Sequence, residues 1–257
     1  MLKMAATRTT WRRWVPAVTA AVTVGAAGLA GASPAAAQTL VNCPTQNLQT
    51  AINAAAPGST LVIRGTCVGN FTVAKNLRLV GFGTAVLDGN GAGTTLTVNG
   101  PSTVQINSLT LVDGVGSVGG GLHNNGGTVT LNSTTVRDND AGFGGGIANT
   151  GTLTVNASRI QDNAATVAGG GIANSGTLTV NLSTLRENTA EVVGGGLASF
   201  GGTVRLSLAT VTQNVSNGGA NTGGGIFRAG GTVTLLATSV TANVPNNCTP
   251  ALAGCVG

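Results

Sequence analysis

Between residues 119 and 243 apolar side chains alternate with threonine over stretches of five or six residues, each closed by glycine or asparagine. The segment GTLTVN at 151–156 shows the pattern: Leu153 and Val155 are separated by Thr152 and Thr154. Period-two alternation is that of a strand with one buried face. The pattern repeats. GGG recurs at Gly119, Gly144, Gly169, Gly194 and Gly223, a spacing of 25, 25, 25 and 29 residues. Aligned on it, four apolar columns run through the units: Leu122, Ile147, Ile172, Leu197, Ile226; then Val129, Leu153, Leu178, Val204, Val233; then Leu131, Val155, Val180, Leu206, Leu235; then Val136, Ile160, Leu185, Val211, Val240. A fixed period of this length is the signature of a stacked solenoid. The Gly, Thr and Asn density, with turn signals every few residues, excludes helices. These features predict an all-β, right-handed parallel β-helix with three short strands per rung of about 25 residues.

The stretch 38–118 carries the same chemistry less regularly. LVI, FTV, LRLV, TLTV and LTLV read as strands of two to three irregular rungs. Ahead of them Thr45 precedes Leu48, Ala51, Ile52 and Ala55, an i, i+3, i+4, i+7 stripe halted by Pro57-Gly58. This predicts a helix that plugs the amino end, and residues 244–257 are the matching carboxyl cap. Solenoids need such ends because bare terminal strands pair promiscuously.

Composition sets the address. Lys3, Arg8, Arg12 and Arg13, an apolar run over 15–32 and Ala35-Ala36-Ala37 have the three-part anatomy of a secretory signal peptide over residues 1–37. Arg12-Arg13 admits twin-arginine export, which the flanking Trp11 and Trp14 fit less well than the general route. Four of the 12 Lys+Arg lie in that leader, leaving 8 against 7 Asp+Glu, a net charge near +1. Those basic residues are scattered, which excludes a nucleic-acid footprint. No run after the leader is long and apolar enough for a transmembrane helix. Cys43, Cys67, Cys248 and Cys255 sit near the two ends, and an even number in an exported chain reads as disulfides. Of the three pairings, Cys43–Cys67 and Cys248–Cys255 would each staple one end.

Candidate chemistry is sparse. His123 is the single histidine, so neither a histidine metal cluster nor a Ser-His-Asp system can be assembled, and it reads as an outward residue. Asn139, Asn163, Asn188, Asn214 and Asn243 recur three residues after the fourth apolar column and predict a stacked amide ladder. A second short column is Asn132, Asn156 and Asn181. Just before the ladder stand Asp138, Asp162 and Glu187, followed by Gln213 and Ala242, with Arg137 and Arg186 beside them. Three carboxylates on adjacent rungs would lie ~5 Å apart, near enough to share Ca²⁺. They read equally as a solvated turn with Arg–carboxylate pairs. No other cofactor is indicated. Threonines at 128/130, 152/154, 177/179 and 232/234 form two outward files, broken at Arg205. The enlarged turn at residues 215–222 is where a rung insertion would meet a partner.

NLQTAINAAAPGSTLVIRGT followed by FTVAKNLRLVGFG resembles the opening of pectin-lyase-like β-helices, and the GGG[IL] units with a trailing Asn resemble polymorphic-membrane-protein-type repeats. The resemblance implies a superfamily of lyases, hydrolases, adhesins and binding proteins, among which fold alone does not choose. Its lyases use stacked acids for Ca²⁺ and an arginine as base. That would give Asp138, Asp162, Glu187, Arg137 and Arg186 those roles. The chain lacks the GHG and NTD motifs of polygalacturonase-type members. The expectation is therefore a secreted or cell-surface β-helix, not an enzyme, that binds a polysaccharide or a cell-surface protein or serves structurally. A polysaccharide lyase or hydrolase is the alternative. The T-x-T files, which resemble the ice-binding face of some β-solenoids, place ice binding third.

Overall fold

The structure, a computed structural model, describes residues 38–255; the predicted signal peptide over residues 1–37 and the last two residues lie outside them. The described chain is a parallel β-helix. The regular rungs pass through three parallel hydrogen-bonded sheets, of 15, 8 and 5 strands over the described chain. The largest turns a corner, so a rung gives it two strands. Thr152–Asn156 lies on what we call the front limb and Arg159–Gln161 on the side limb. Strand Leu77–Asp88 spans the corner, pairing through its start with Thr103–Asn107 and through its end with Thr110–Val112. The second sheet runs from Phe71–Val73 to Cys248–Thr249, and the third from Val115–Val118 to Val215–Ser216.

All four columns read from the sequence are ladders in perfect register. Val129 pairs with Leu153, Leu153 with Leu178, Leu178 with Val204 and Val204 with Val233, and the other columns behave alike. Their side chains fill the tube, and from Leu122 to Leu206 none is more than 1% exposed. Each buried aliphatic is worth about 1.5–3 kcal/mol, so the stack is held by repetition of a small hydrophobic unit. In the GGG turns the first glycine is left-handed, for example Gly144 at φ 67°. The third keeps adjacent rungs in contact: a Cβ on Gly146 would stand 2.7 Å from the carbonyl oxygen of Gly171.

The ends are closed as expected, with one shift. The helix is Leu48–Ala54, and its N-cap is Asn47, whose side chain accepts from the Thr50 N–H at 2.9 Å. Thr45 serves the preceding turn, its hydroxyl donating to the Asn42 carbonyl. Leu48 and Ile52 are buried against the first rungs. The disulfides are Cys43–Cys67 and Cys248–Cys255, one at each end. At the carboxyl end Val233 and Leu235 are only partly buried, with Leu252 and the second disulfide packed against the core there.

Candidate functional site

The acidic column is a column of left-handed residues. Asp138, Asp162 and Glu187 have φ of 55°, 55° and 54°, as do Gln213 and Ala242 at 57° and 56°. Asp113, at 53°, extends it by a rung, its N–H donating to the Asp138 carbonyl. Its rung precedes Gly119, where the regular repeats start. Side-chain partners come from the column's own rungs. Arg137 pairs with Asp138, Gln161 Nε2 donates to Asp162 at 2.9 Å, and Arg186 pairs with Glu187 at 3.1 Å. Arg186 Nε also reaches Gln161 Oε1 at 3.2 Å, tying two rungs together. These groups are exposed or half-exposed, so the ion pairs are worth little. Among the described residues no three carboxylate, imidazole or thiol groups come together as a metal-binding cluster.

Immediately after this column the chain turns inward, and the asparagines fall into the tube. Asn139, Asn163, Asn188, Asn214 and Asn243 are at most 7% exposed. Each Nδ2 donates to the Oδ1 of the next rung's asparagine at 2.9 Å, and Asn243 hands on to Asn247. The same Oδ1 accepts the backbone N–H of the asparagine one rung earlier, as Asn188 does for Asn163 at 3.2 Å. Nδ2 also reaches a carbonyl of the preceding rung, Asn188 to Ile160 at 3.0 Å. The predicted ladder therefore replaces the backbone pairing that the turn interrupts.

A second inward ladder escaped the sequence reading. Asn124 donates to Asn149, and Asn149 to Asn174, both at 2.7 Å and fully buried. These residues stand two positions after the Leu122 column, hence on the same inward face, so the period-two rule was enough to find them. The column Asn132, Asn156, Asn181 lies outside, extended by Asn107, and its amides donate in the opposite axial sense, Asn181 to Asn156 and Asn156 to Asn132 at 3.0 Å each.

The front limb carries this outer ladder beside the two threonine files. Thr128, Thr152, Thr177, Thr203 and Thr232 stack in register, as do Thr130, Thr154, Thr179, Arg205 and Thr234. The hydroxyls of Thr128, Thr130, Thr152, Thr154, Thr177 and Thr179 have no hydrogen-bond partner among the described residues. His123 faces outward from the second sheet, in register with Ala148. Burial lowers its pKa from the usual 6.5, because the charged imidazolium is poorly solvated there. In the enlarged turn Asn217 donates to Glu191 at 3.1 Å and Thr222 to the Gly219 carbonyl at 2.7 Å.

Among the described residues no helix is long and apolar enough to cross a membrane. No family model, no curated protein and no solved structure matches this chain, so its repeated outer surface is the ground for any functional reading.

Proposed function

We propose that the protein is an exported, non-catalytic β-helix that holds an extended glycan along the front limb. One observation carries this reading: the outward threonine hydroxyls stand in register and are not used by the fold. Rungs repeat at ~4.8 Å and alternate residues of a strand at ~7 Å, so the face is a flat grid of donors and acceptors. A chain of sugar hydroxyls is a ligand of matching chemistry, and a rigid grid spends little entropy on being ordered. The leader-like residues 1–37 and the two disulfides support export.

Affinity electrophoresis through gels cast with soluble polysaccharides tests the proposal. At least one glycan should retard the protein, and replacing Thr154 and Thr179 together by valine, which keeps shape and removes hydroxyls, should weaken that retardation. Unretarded migration through every polysaccharide would overturn it.

The rival reading, a polysaccharide lyase or hydrolase, draws on Asp138, Asp162 and Glu187 for Ca²⁺ and on Arg137 or Arg186 as base. A lyase must neutralise a substrate carboxylate and hold a free base beside the adjacent carbon. Here both arginines are engaged by the neighbouring carboxylates. Polygalacturonate with Ca²⁺ at mildly alkaline pH should yield no unsaturated product. Product that disappears in Asp162→Ala, and persists in Thr179→Ala, would reverse the ranking.

A further inference from the structure

Aromatic side chains are scarce in this protein, which has five phenylalanines and no tyrosine. Two of them, one from the end of a third-sheet strand and one just after a second-sheet strand, meet over the outward alanines of the second sheet. Phe143 ends the strand Asp140–Phe143 just before one glycine turn, and Phe200 follows the strand Leu197–Ser199 two rungs further along. Two rungs are ~10 Å apart. The rings nevertheless lean across the intervening rung to a centroid distance of 6.2 Å, edge to face at 73°. Alanine makes the approach feasible. The outward column beneath them reads His123, Ala148, Ala173, Ala198, Phe227 in register, and Ala148 and Ala173 are 3% and 7% exposed. Side chains longer than a methyl at these floor positions would lift the rings away.

The rings are not themselves covered: Phe143 is 41% and Phe200 40% exposed. They border a cleft of about 260 Å³ whose other sides include Val118, Ala148, Ala173 and Ser175. No ionisable side chain lines it. At its mouth Thr150 is committed to the fold, accepting from the Gly126 N–H and donating to the Asn124 carbonyl, both at 3.1 Å. The Ser175 hydroxyl has no partner among the described residues. Two exposed aromatic faces, an apolar floor, one free hydroxyl and no charge form a site for a ring with an apolar face and a hydroxyl-bearing rim.

We infer that the Phe143–Phe200 cleft is a subsite for one uncharged pyranose ring, packed by its C–H face on the phenylalanines and hydrogen-bonded at its rim to Ser175. The neutral lining selects against uronic acids and sulfated sugars, because an anion entering it would be desolvated without a cation to meet it. The cleft adjoins the front limb: Thr150 and Ser175 lead within two residues to Thr152 and Thr177. The inference rests on the glycan-binding reading and adds the ligand's class, a neutral polysaccharide anchored where the second sheet leads into the front limb.

The test is titration of the protein with soluble β-glucan, xylan, mannan and polygalacturonate. It compares wild type, Phe143→Ala, Phe200→Ala, Phe143→Leu and the Thr154→Val/Thr179→Val pair. Folding of each variant is checked by circular dichroism. The expected result is binding of a neutral polysaccharide and not of polygalacturonate, weakened roughly fivefold to tenfold by either alanine and also by Phe143→Leu, which keeps bulk and loses the ring. Phe200→Trp should retain binding and report it, as the sole tryptophan among residues 38–257, by a fluorescence change. Neutral-glycan binding unchanged in all three phenylalanine truncations, but lost in the threonine pair, would overturn the subsite and leave the front-limb reading standing. Loss in the phenylalanine variants alone would uphold the subsite and remove the front limb from the reading. Binding of polygalacturonate alone would overturn the subsite, and binding of none would overturn both.

Discussion

Asparagine ladders run along the same rungs inside the tube and outside it, and the residue type is the same in both places. Asn188 is fully buried; it bonds the side chains of Asn163 and Asn214, the Asn163 backbone and the Ile160 carbonyl. Asn156 is half-exposed, and its side chain bonds only those of Asn132 and Asn181. Water can replace every partner of the second residue and none of the first. A net hydrogen bond is worth about 0.5–1.5 kcal/mol, whereas leaving a buried group unpaired costs about 1–3 kcal/mol each. The wall of the β-helix therefore decides what an asparagine is for: a backbone substitute within, a polar surface without.

The hardest test of that wall is a charge on either side of it. Leu178→Asp buries an unpaired carboxylate and should abolish folding or cost more than about 4 kcal/mol in denaturant titration. Thr179→Asp, one residue on, should stay within about 1 kcal/mol of wild type. If the two effects were exchanged, every inward and outward assignment along the rung would invert. Next in size, Asn188→Ala strands several buried donors and acceptors and should lose about 3 kcal/mol, read as a melting temperature lower by roughly 6–12 °C. Asn156→Ala should lose no more than about 1 kcal/mol. Equal losses for the two asparagines would dissolve the contrast. The smallest effect belongs to His123. Its depressed folded pKa means that the unfolded chain binds a proton more readily, so stability present above pH 6.5 declines as pH falls below it. In His123→Gln that part of the pH dependence between 7.5 and 5 should vanish from thermal melts.

How much of this was legible depended on repetition. Leu153, Leu178 and Val204 recur at 25 and 26 residues with polar neighbours, so one physical rule applied several times placed the core, the register and the tube. Asn163 and Asn188 were legible for the same reason. Asp113 was missed because its rung precedes the regular units, where alignment fails although the geometry continues. The bend of the long sheet, which gives each rung two strands in one sheet, follows from left-handed residues such as Ala157 and Leu182, at φ 46° and 49°, in positions where sequence offers no glycine. Phe143 and Phe200 were illegible for a different reason. They occupy unlike positions in rungs two apart, and only the stacking brings their rings together. A once-only aromatic pair leaves no periodic trace.

The register of the GGG rungs carries one more consequence. Ile147, Ile172 and Leu197 are successive members of a ladder whose upper and lower surfaces offer the same bonds. Any regular rung can thus mate with any other. Excising one 25-residue unit, for example residues 169–193, would join Ala168 to Gly194, bring Leu197 onto Ile147, and let Asn163 meet Asn214. The joint would repeat the inward native pairings and differ chiefly at outward positions, where Arg159 would stand for Thr184 and Gln161 for Arg186. Slippage during copying of such a sequence shortens or lengthens the molecule by one storey without breaking it. Length is then a property that inheritance can tune in single steps, while the two disulfide-stapled ends stay fixed.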